Sequence, residues 1–360
     1  MEYGLHIGKQ FIPYRELTGH RIPDNQPFEE ALKFLKDYVN GETRFQFQTS
    51  GSTGPPKKVF LTRDQLKQSA RATAKALKLQ TGYRCLVSIS TNHIGGKMML
   101  VRGIETGMNL YLRKPQTIPD ISDLPPIDFV ALVPLQLRSL LNSPVGQSFL
   151  NHCKMVIVGG GQVDTELSEK TASIGAAIYQ TYGMTETASH IALMKLNPPG
   201  KQNSYQALPG IKVEADSIGR LTINGAVTNH QPLITNDLVQ IIDKNSFKWI
   251  GRFDEAINTG GYKVIPQNLY PAVADCLEYL RIQTEFVIVG LPDEHWGESV
   301  VLVLERILAA GQEQQIIRCL KQKLVAYQVP KKVLFLTTFP KTPTHKPDIP
   351  KIKKMLSTGG

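Results

Sequence analysis

Apolar residues recur along this chain in two rhythms. At helical spacing, Phe28, Leu32, Leu35 and Val39 predict an amphipathic helix over 27–39. A second helix is predicted to start at Thr62. Gln65, three residues later, completes a capping box, and Leu66, Ala70 and Leu77 follow on one face. Short buried strands are predicted at 85–90, 109–112, 129–133 and 154–158. Strand-like and helix-like segments alternate for most of the length, which places the fold in the α/β class. Between 211 and 250 the rhythm changes to short β runs separated by turns such as Asn224-Gly225, so a β-rich subdomain is expected there. A boundary is expected at 251–255. Beyond it, Pro266 is placed to open a helix, 286–289 and 299–304 read as strands, and Ile316, Leu320 and Leu324 line another helix. The expected organisation is one large domain over 1–252 and a small α+β domain over 253–360.

Composition narrows the classes. The chain has 360 residues, 41% of them hydrophobic and 20% charged, which suits a globular protein with a sizeable core. No run approaches the roughly 20 apolar residues of a membrane-spanning helix. The first residues, MEYGLHIGKQ, lack the basic head and apolar run of a secretion signal. Cys85, Cys153, Cys276 and Cys319 form no CxxC pair and have no neighbouring His at metal-binding spacing. Four free thiols in a reducing compartment are therefore expected, with the cytoplasm as the location. The net charge of +10 is spread along the chain without any nucleic-acid-binding motif, so no nucleic-acid partner is expected. The same field would steer polyphosphate ligands, and solubility alone would account for it equally.

The chemistry begins at a strand over 45–48 that enters TSGSTGPPKK, residues 49–58. Glycines let such a loop bend tightly and expose backbone N–H groups. Its hydroxyls donate to phosphate oxygens, and lysine adds positive charge. Thr49, Ser50, Gly51, Ser52, Thr53, Gly54 and Lys57 are the candidate phosphate contacts. The loop does not fit the Walker pattern: counted from Gly51, Pro56 holds the second glycine position and Lys58 the Ser/Thr position. Val59, Phe60 and Leu61 read as a returning strand, so the loop is expected to join two strands.

This segment resembles the phosphate loop of the acyl-adenylate-forming superfamily, whose members include acyl- and aryl-CoA ligases, luciferases and peptide-synthetase adenylation domains. Further motifs follow in that superfamily's order from about Phe47 to Lys346. QTYGMTET, residues 180–187, resembles its YGxTE signature. The resemblance implies that Tyr182 packs on adenine, Thr185 contacts the α-phosphate and Glu186 helps hold Mg²⁺, a hard cation that prefers carboxylate and phosphate oxygens. Gly159, Gly160 and Gly161 resemble the glycine-rich turn where adenine and acyl group meet. Thr235-Asn236-Asp237 departs from the usual TGD by one residue but keeps Asp237 for the ribose hydroxyls. GRFDE, residues 251–255, resembles the hinge sequence, with Arg252 on ribose and Asp254 as the pivot. Gly260 and Gly261 match the loop that lines the pantetheine tunnel of CoA. PKTPTHK, residues 340–346, resembles the motif whose lysine, here Lys346, bridges the carboxylate and the α-phosphate during adenylation. His345 stands where glycine is usual there, and Lys58 where glycine is usual after Lys57.

The resemblance implies a large multi-layered N-terminal domain, shortened at its start, and a small mobile C-terminal domain. It also implies ATP, Mg²⁺ and CoA as ligands and a carboxylic acid as substrate. His93 falls where this superfamily places a gating or substrate-facing residue, where it would close the acyl pocket, polarise the carboxylate or cap a helix. Lys97 is suited to a second carboxylate on the substrate. The stretch NHIGGKMML, residues 92–100, and the roughly fifty residues ahead of the phosphate loop are similar to the branch that activates o-succinylbenzoate in menaquinone biosynthesis. Another aryl or acyl acid, or a carrier protein in place of CoA, stays open, as does a binding protein that kept the fold without catalysis.

Overall fold

The computed structural model describes residues 2–19, 28–49, 57–342 and 347–357. The chain starts with a hairpin, β1 (Gly4–Ile7) and β2 (Gln10–Pro13), followed by helix α1 (Glu29–Val39). A second hairpin, β3 (Arg44–Gln48) and β4 (Lys58–Thr62), leads into α2 (Arg63–Leu77). Then come β5 (Arg84–Val87), α3 (Ile94–Thr106), β6 (Asn109–Leu112), β7 (Phe129–Leu132), α4 (Pro134–Leu141), α5 (Pro144–His152), β8 (Met155–Val158) and α6 (Thr165–Lys170). The large part finishes with β9 (Ala177–Met184), β10 (Ser189–Lys195), β11 (Tyr205–Ala207), β12 (Lys212–Ala215), β13 (Arg220–Asn224), β14 (Leu233–Asp243) and β15 (Ser246–Arg252).

Thirteen of these strands form one sheet in the order β12-β13-β14-β15-β11-β10-β9-β8-β7-β5-β6-β1-β2. Its middle, from β1 through β9, is parallel, and both flanks are antiparallel. Period-2 alternation sorts the parallel strands between two cores. Cys85, Val87, Phe129, Ala131 and Ile157 face the core shared with α1, α2 and α3. Leu86, Val130, Leu132, Val156 and Val158 face the core shared with α4, α5 and α6. Burial on both faces explains why these strands read as short continuous apolar runs. The capping box forms as expected: Thr62 Oγ1 accepts from Gln65 N at 3.2 Å, and Gln65 Oε1 accepts from Thr62 N at 2.9 Å.

The smaller part contains β16 (Ile257–Thr259), β17 (Tyr262–Val264), α7 (Tyr270–Tyr279), β18 (Phe286–Asp293), β19 (Gly297–Leu304), α8 (Gln312–Lys323), β20 (Lys332–Phe335) and α9 (Ile349–Ser357). Its five-stranded sheet has its own cores against α7, α8 and α9. The chain is thus an α/β fold with a large N-terminal and a small C-terminal domain.

Two expectations are corrected. Pro266 opens a short 3-10 turn, Pro266–Asn268, and the helix itself starts at Tyr270, where Pro271 takes the position that needs no backbone donor. The four cysteines are not all free. α7 and α8 pack side by side and bring Cys276 and Cys319 to a Cα separation of 5.9 Å, where they form a disulfide. That pairing spans 43 residues and leaves no mark in the local sequence. Cys85 and Cys153 are buried free thiols, and burial pushes the Cys153 thiol up to about 12. The cysteine pattern therefore does not argue for a reducing compartment.

Candidate active site

The site is built where the large sheet meets the start of the small domain. β14 and β15 are antiparallel, and their register sets Asp237 opposite Arg252. The Asp237 carboxylate is buried and collects donors. Oδ2 accepts from the Tyr182 hydroxyl at 2.7 Å, and Oδ1 accepts from the Trp249 indole N–H at 3.0 Å. Arg252 Nη1 stands 3.9 Å from Oδ1. A buried carboxylate is tolerated only with such partners. Burial, and then the Asp237 charge, push the Tyr182 phenol far above its ordinary pKa, so it stays a donor. Asp237 N donates to Thr235 Oγ1 at 3.0 Å, which fixes the turn that carries the carboxylate.

Arg252 also donates to both oxygens of Asp254, at 2.9 and 2.7 Å, and this pairing raises the guanidinium pKa further. Asn236, the residue that breaks the TGD pattern, donates to Asp254 at 3.4 Å. Asp237, Arg252 and Asp254 are therefore one connected group at the junction between the two sheets. The candidate pivot is tied to the candidate ribose contacts through a bidentate pair.

Tyr182 ends the parallel part of the sheet, in an aromatic cluster with Tyr205 and Phe247 at ring separations of 5.6 and 5.1 Å. Beside it, β8 runs into Gly159, Gly160 and Gly161. A Cβ on Gly159 would stand 2.6 Å from Thr181 Oγ1, so a side chain there would force the Thr181 hydroxyl to move. After β9, Thr185 is buried and Glu186 half-buried in a 3-10 turn, Thr185–Thr187. Gly183 has the same constraint from the other side, because a Cβ there would meet the His190 backbone at 2.3 Å.

The predicted strand–loop–strand is present. β3 and β4 pair from Arg44↔Thr62 to Gln48↔Lys58. Thr49 and Lys57 close the base of the connection, with Thr49 N donating to Lys57 O at 2.9 Å and Lys57 N to Thr49 Oγ1 at 3.0 Å. β4 runs beside the Thr185–Thr187 turn, which brings the loop's base to the YGMTE segment. Ser50, Gly51, Ser52, Thr53, Gly54 and Lys346 lie outside the described residues.

His93 is exposed at the N-cap position of α3, and its side chain makes no capping hydrogen bond. The helix-cap option is thereby removed. Lys97, one turn on, is half-buried with its ammonium 5.4 Å from the Phe34 ring centre and 5.5 Å from that of Phe47. Burial lowers its pKa, against the pull of Glu30. No carboxylate among the described residues pairs with it at salt-bridge distance. Gly260 and Gly261 form the two-residue turn between β16 and β17, both with positive φ, +56° and +82°. This turn needs glycine for its backbone, and a Cβ on Gly260 would strike the Trp296 ring at 2.6 Å. Sequence reading missed Trp249 and the Arg102–His190 pair behind the YGMTE turn. The Trp on an alternating strand next to GRFDE was the only local signal for the first, and nothing local marks the second.

Comparisons with known proteins identify the family. The family described as AMP-binding enzyme matches residues 42–220, and the family described as AMP-binding enzyme C-terminal domain matches 271–346. A solved acyl-CoA synthetase (AMP-forming)/AMP-acid ligase II-like protein from Dyadobacter fermentans is 37% identical, with 94% of this chain and 97% of that chain covered and a TM-score of 0.64. The o-succinylbenzoate coenzyme A synthetase of Bacillus subtilis, solved with ATP and magnesium ion, shares the fold at 24% identity, with 87% and 69% covered and a TM-score of 0.68. A 2-succinylbenzoate–CoA ligase of Bacillus cereus is 28% identical over 354 residues, 89% of this chain and 72% of that relative. By its motifs, its two-domain fold and these likenesses, the chain belongs to the AMP-binding enzyme family, among its AMP-forming acid–CoA ligases.

Proposed function

We propose that the enzyme activates o-succinylbenzoate, using ATP and Mg²⁺ to make the acyl-adenylate and CoA to take the acyl group. The observation that carries this reading is the convergence of Tyr182, Asp237 and Arg252, continuous through β9 with the Thr185–Glu186 turn and the base of the phosphate loop. An adenine ring, a ribose diol and a polyphosphate need an aromatic face, a carboxylate acceptor and a donor-rich loop in this sequence of positions.

In the first step a carboxylate oxygen of the acid attacks the α-phosphorus of ATP, and pyrophosphate leaves. Thr185 and Lys346 contact the α-phosphate, Gly160 and Gly161 admit the acyl group beside adenine, and Asp237 and Arg252 hold the ribose. In the second step the CoA thiol attacks the acyl carbonyl and AMP leaves, with Gly261 lining the thiol's approach. Glu186 would hold the magnesium ion. Magnesium is a hard cation that prefers carboxylate and phosphate oxygens, which is the chemistry Glu186 offers. Bound there, the ion neutralises phosphate charge. Residues 253–360 turn about Asp254 between the steps. The cytoplasm, where ATP and CoA are met, is the proposed location. No helix among the described residues is long and apolar enough to cross a membrane.

Lys97 is the proposed partner of the substrate's second carboxylate, on the ground that it is a half-buried cation with no salt bridge among the described residues. Lys97→Ala is expected to lose about tenfold or more in preference for o-succinylbenzoate over a monocarboxylic aryl acid. Specificity constants for the two acids check this, and an unchanged ratio removes Lys97 from the pocket. The reading as a whole is tested by pyrophosphate release with ATP, Mg²⁺ and CoA across aryl, fatty and dicarboxylic acids. Strong release on o-succinylbenzoate alone is expected. Release with other acids only, or with a carrier protein but not CoA, overturns it.

A further inference from the structure

Behind the YGMTE turn the backbone is strained. Ala188 has φ 51° and Ser189 φ 90°, two successive non-glycine residues in the left-handed region directly after the Thr185–Thr187 turn. Such backbone persists only where its surroundings hold it. Thr187 does part of this, accepting from Met184 N at 3.1 Å and donating to Ser189 O at 2.7 Å. The rest comes from a buried chain of side chains on α2, α3 and β10. Ser69 Oγ donates to Ala188 O at 2.7 Å, and Thr73 Oγ1 donates to Ser69 O at 3.0 Å. Having spent its proton, Thr73 Oγ1 accepts from His190 Nε2 at 3.0 Å. His190 Nδ1 is then left as an acceptor for Arg102 Nη2 at 3.3 Å, and the same Nη2 lies 3.4 Å from Ser189 Oγ. One tautomer, with the proton on Nε2, satisfies every link. Burial, and then the Arg102 charge, hold His190 neutral.

This arrangement is costly for the fold. Ser69, Thr73, Arg102 and His190 are at most 4% exposed, burial pulls Arg102 down to about 9, and its Nε has no partner. No described carboxylate pairs with Arg102. Apolar side chains of similar volume would pack this position more cheaply. The network's other end is the carbonyl and hydroxyl of the two strained residues, two and three positions beyond Glu186.

We propose that Ser69, Thr73, Arg102 and His190 are positioning residues for the nucleotide half of the reaction, holding Ala188–Ser189 so that Thr185 and Glu186 meet the α-phosphate and its magnesium ion. This rests on the adenylation reading above. A displacement of about 1 Å at such contacts is enough to cost on the order of 10²-fold. Glu186 and its ion are needed only while the polyphosphate is bound, whereas the Thr185 contact persists in the acyl-adenylate, so the larger loss falls on adenylation.

The test uses the full chain with Ser69→Ala, Thr73→Val and Thr73→Ser. Acid-dependent pyrophosphate exchange, the KM for Mg·ATP and thioester formation from supplied acyl-adenylate are measured, with thermal melting as a control. Ser69→Ala and Thr73→Val are expected to lose about tenfold or more in kcat/KM for exchange. Thioester formation should lose clearly less than exchange does, and Thr73→Ser should recover the exchange. If Thr73→Val does not fold, Ser69→Ala carries the test, since it removes one oxygen from a helix. Equal loss in both half-reactions, or none in either, overturns the positioning role. A wild type that exchanges pyrophosphate with no acid overturns the adenylation reading and this one together, whereas an active wild type beside unaffected variants overturns this one alone.

Discussion

Asp237→Ala is expected to raise the KM for ATP by about two orders of magnitude and to lower the melting temperature. The carboxylate is the shared acceptor of the Tyr182 hydroxyl and the Trp249 indole N–H, and it stands opposite Arg252. Hydrogen bonds to a charged group contribute about 1.5–3 kcal/mol each, and a buried donor left unsatisfied costs about 1–3 kcal/mol. Loss of the proposed ribose acceptor would weaken nucleotide binding, and the two stranded donors would destabilise the fold. Asp237→Asn separates these effects. Its amide oxygen still accepts one of the two donors, so the melting temperature should partly recover while ATP affinity stays poor. ATP titration of the Asn variant is the deciding measurement. Wild-type affinity there would remove Asp237 from the ribose contacts.

Lys346→Ala is expected to lose pyrophosphate release by on the order of 10³-fold while still converting supplied acyl-adenylate to acyl-CoA. During adenylation, negative charge grows where the acid's oxygen meets the α-phosphorus, and a fixed cation placed there lowers the barrier directly. The thioester step begins with that charge already settled on the adenylate, so it does not need the lysine. The prediction therefore concerns the ratio of two half-reactions. A variant that makes adenylate at the normal rate would show that Lys346 does not bridge the two groups.

Much of this protein was legible before any coordinates. The helix at 63–77 announced its start through Thr62 and Gln65, because a capping box is closed by residues three apart. The strands at 129–132 and 155–158 announced themselves as apolar runs, because burial on both sheet faces demands them. Tyr182, Asp237 and Arg252 were named from motifs in three separate stretches, and the fold brings them within hydrogen-bond and ion-pair reach. The edge hairpin at 4–13 went unread. Its strands are four residues each, too short for a periodic signal against the polar residues around them.

Local order was thus determined by the sequence itself: where helices begin, which strands are buried, which loop is rich in hydroxyls, and in what order the motifs come. Those properties depend on neighbours within a turn or two of chain. Tertiary structure alone decided that Cys276 bonds to Cys319, that Asn236 leans on Asp254, that Lys97 rests against Phe34 and Phe47, and that Arg102 and His190 stand behind the strained Ala188–Ser189 pair. Each of these joins residues far apart along the chain, or sets a side chain's partner by how two elements pack. No pattern of nearby residues encodes the distance between them.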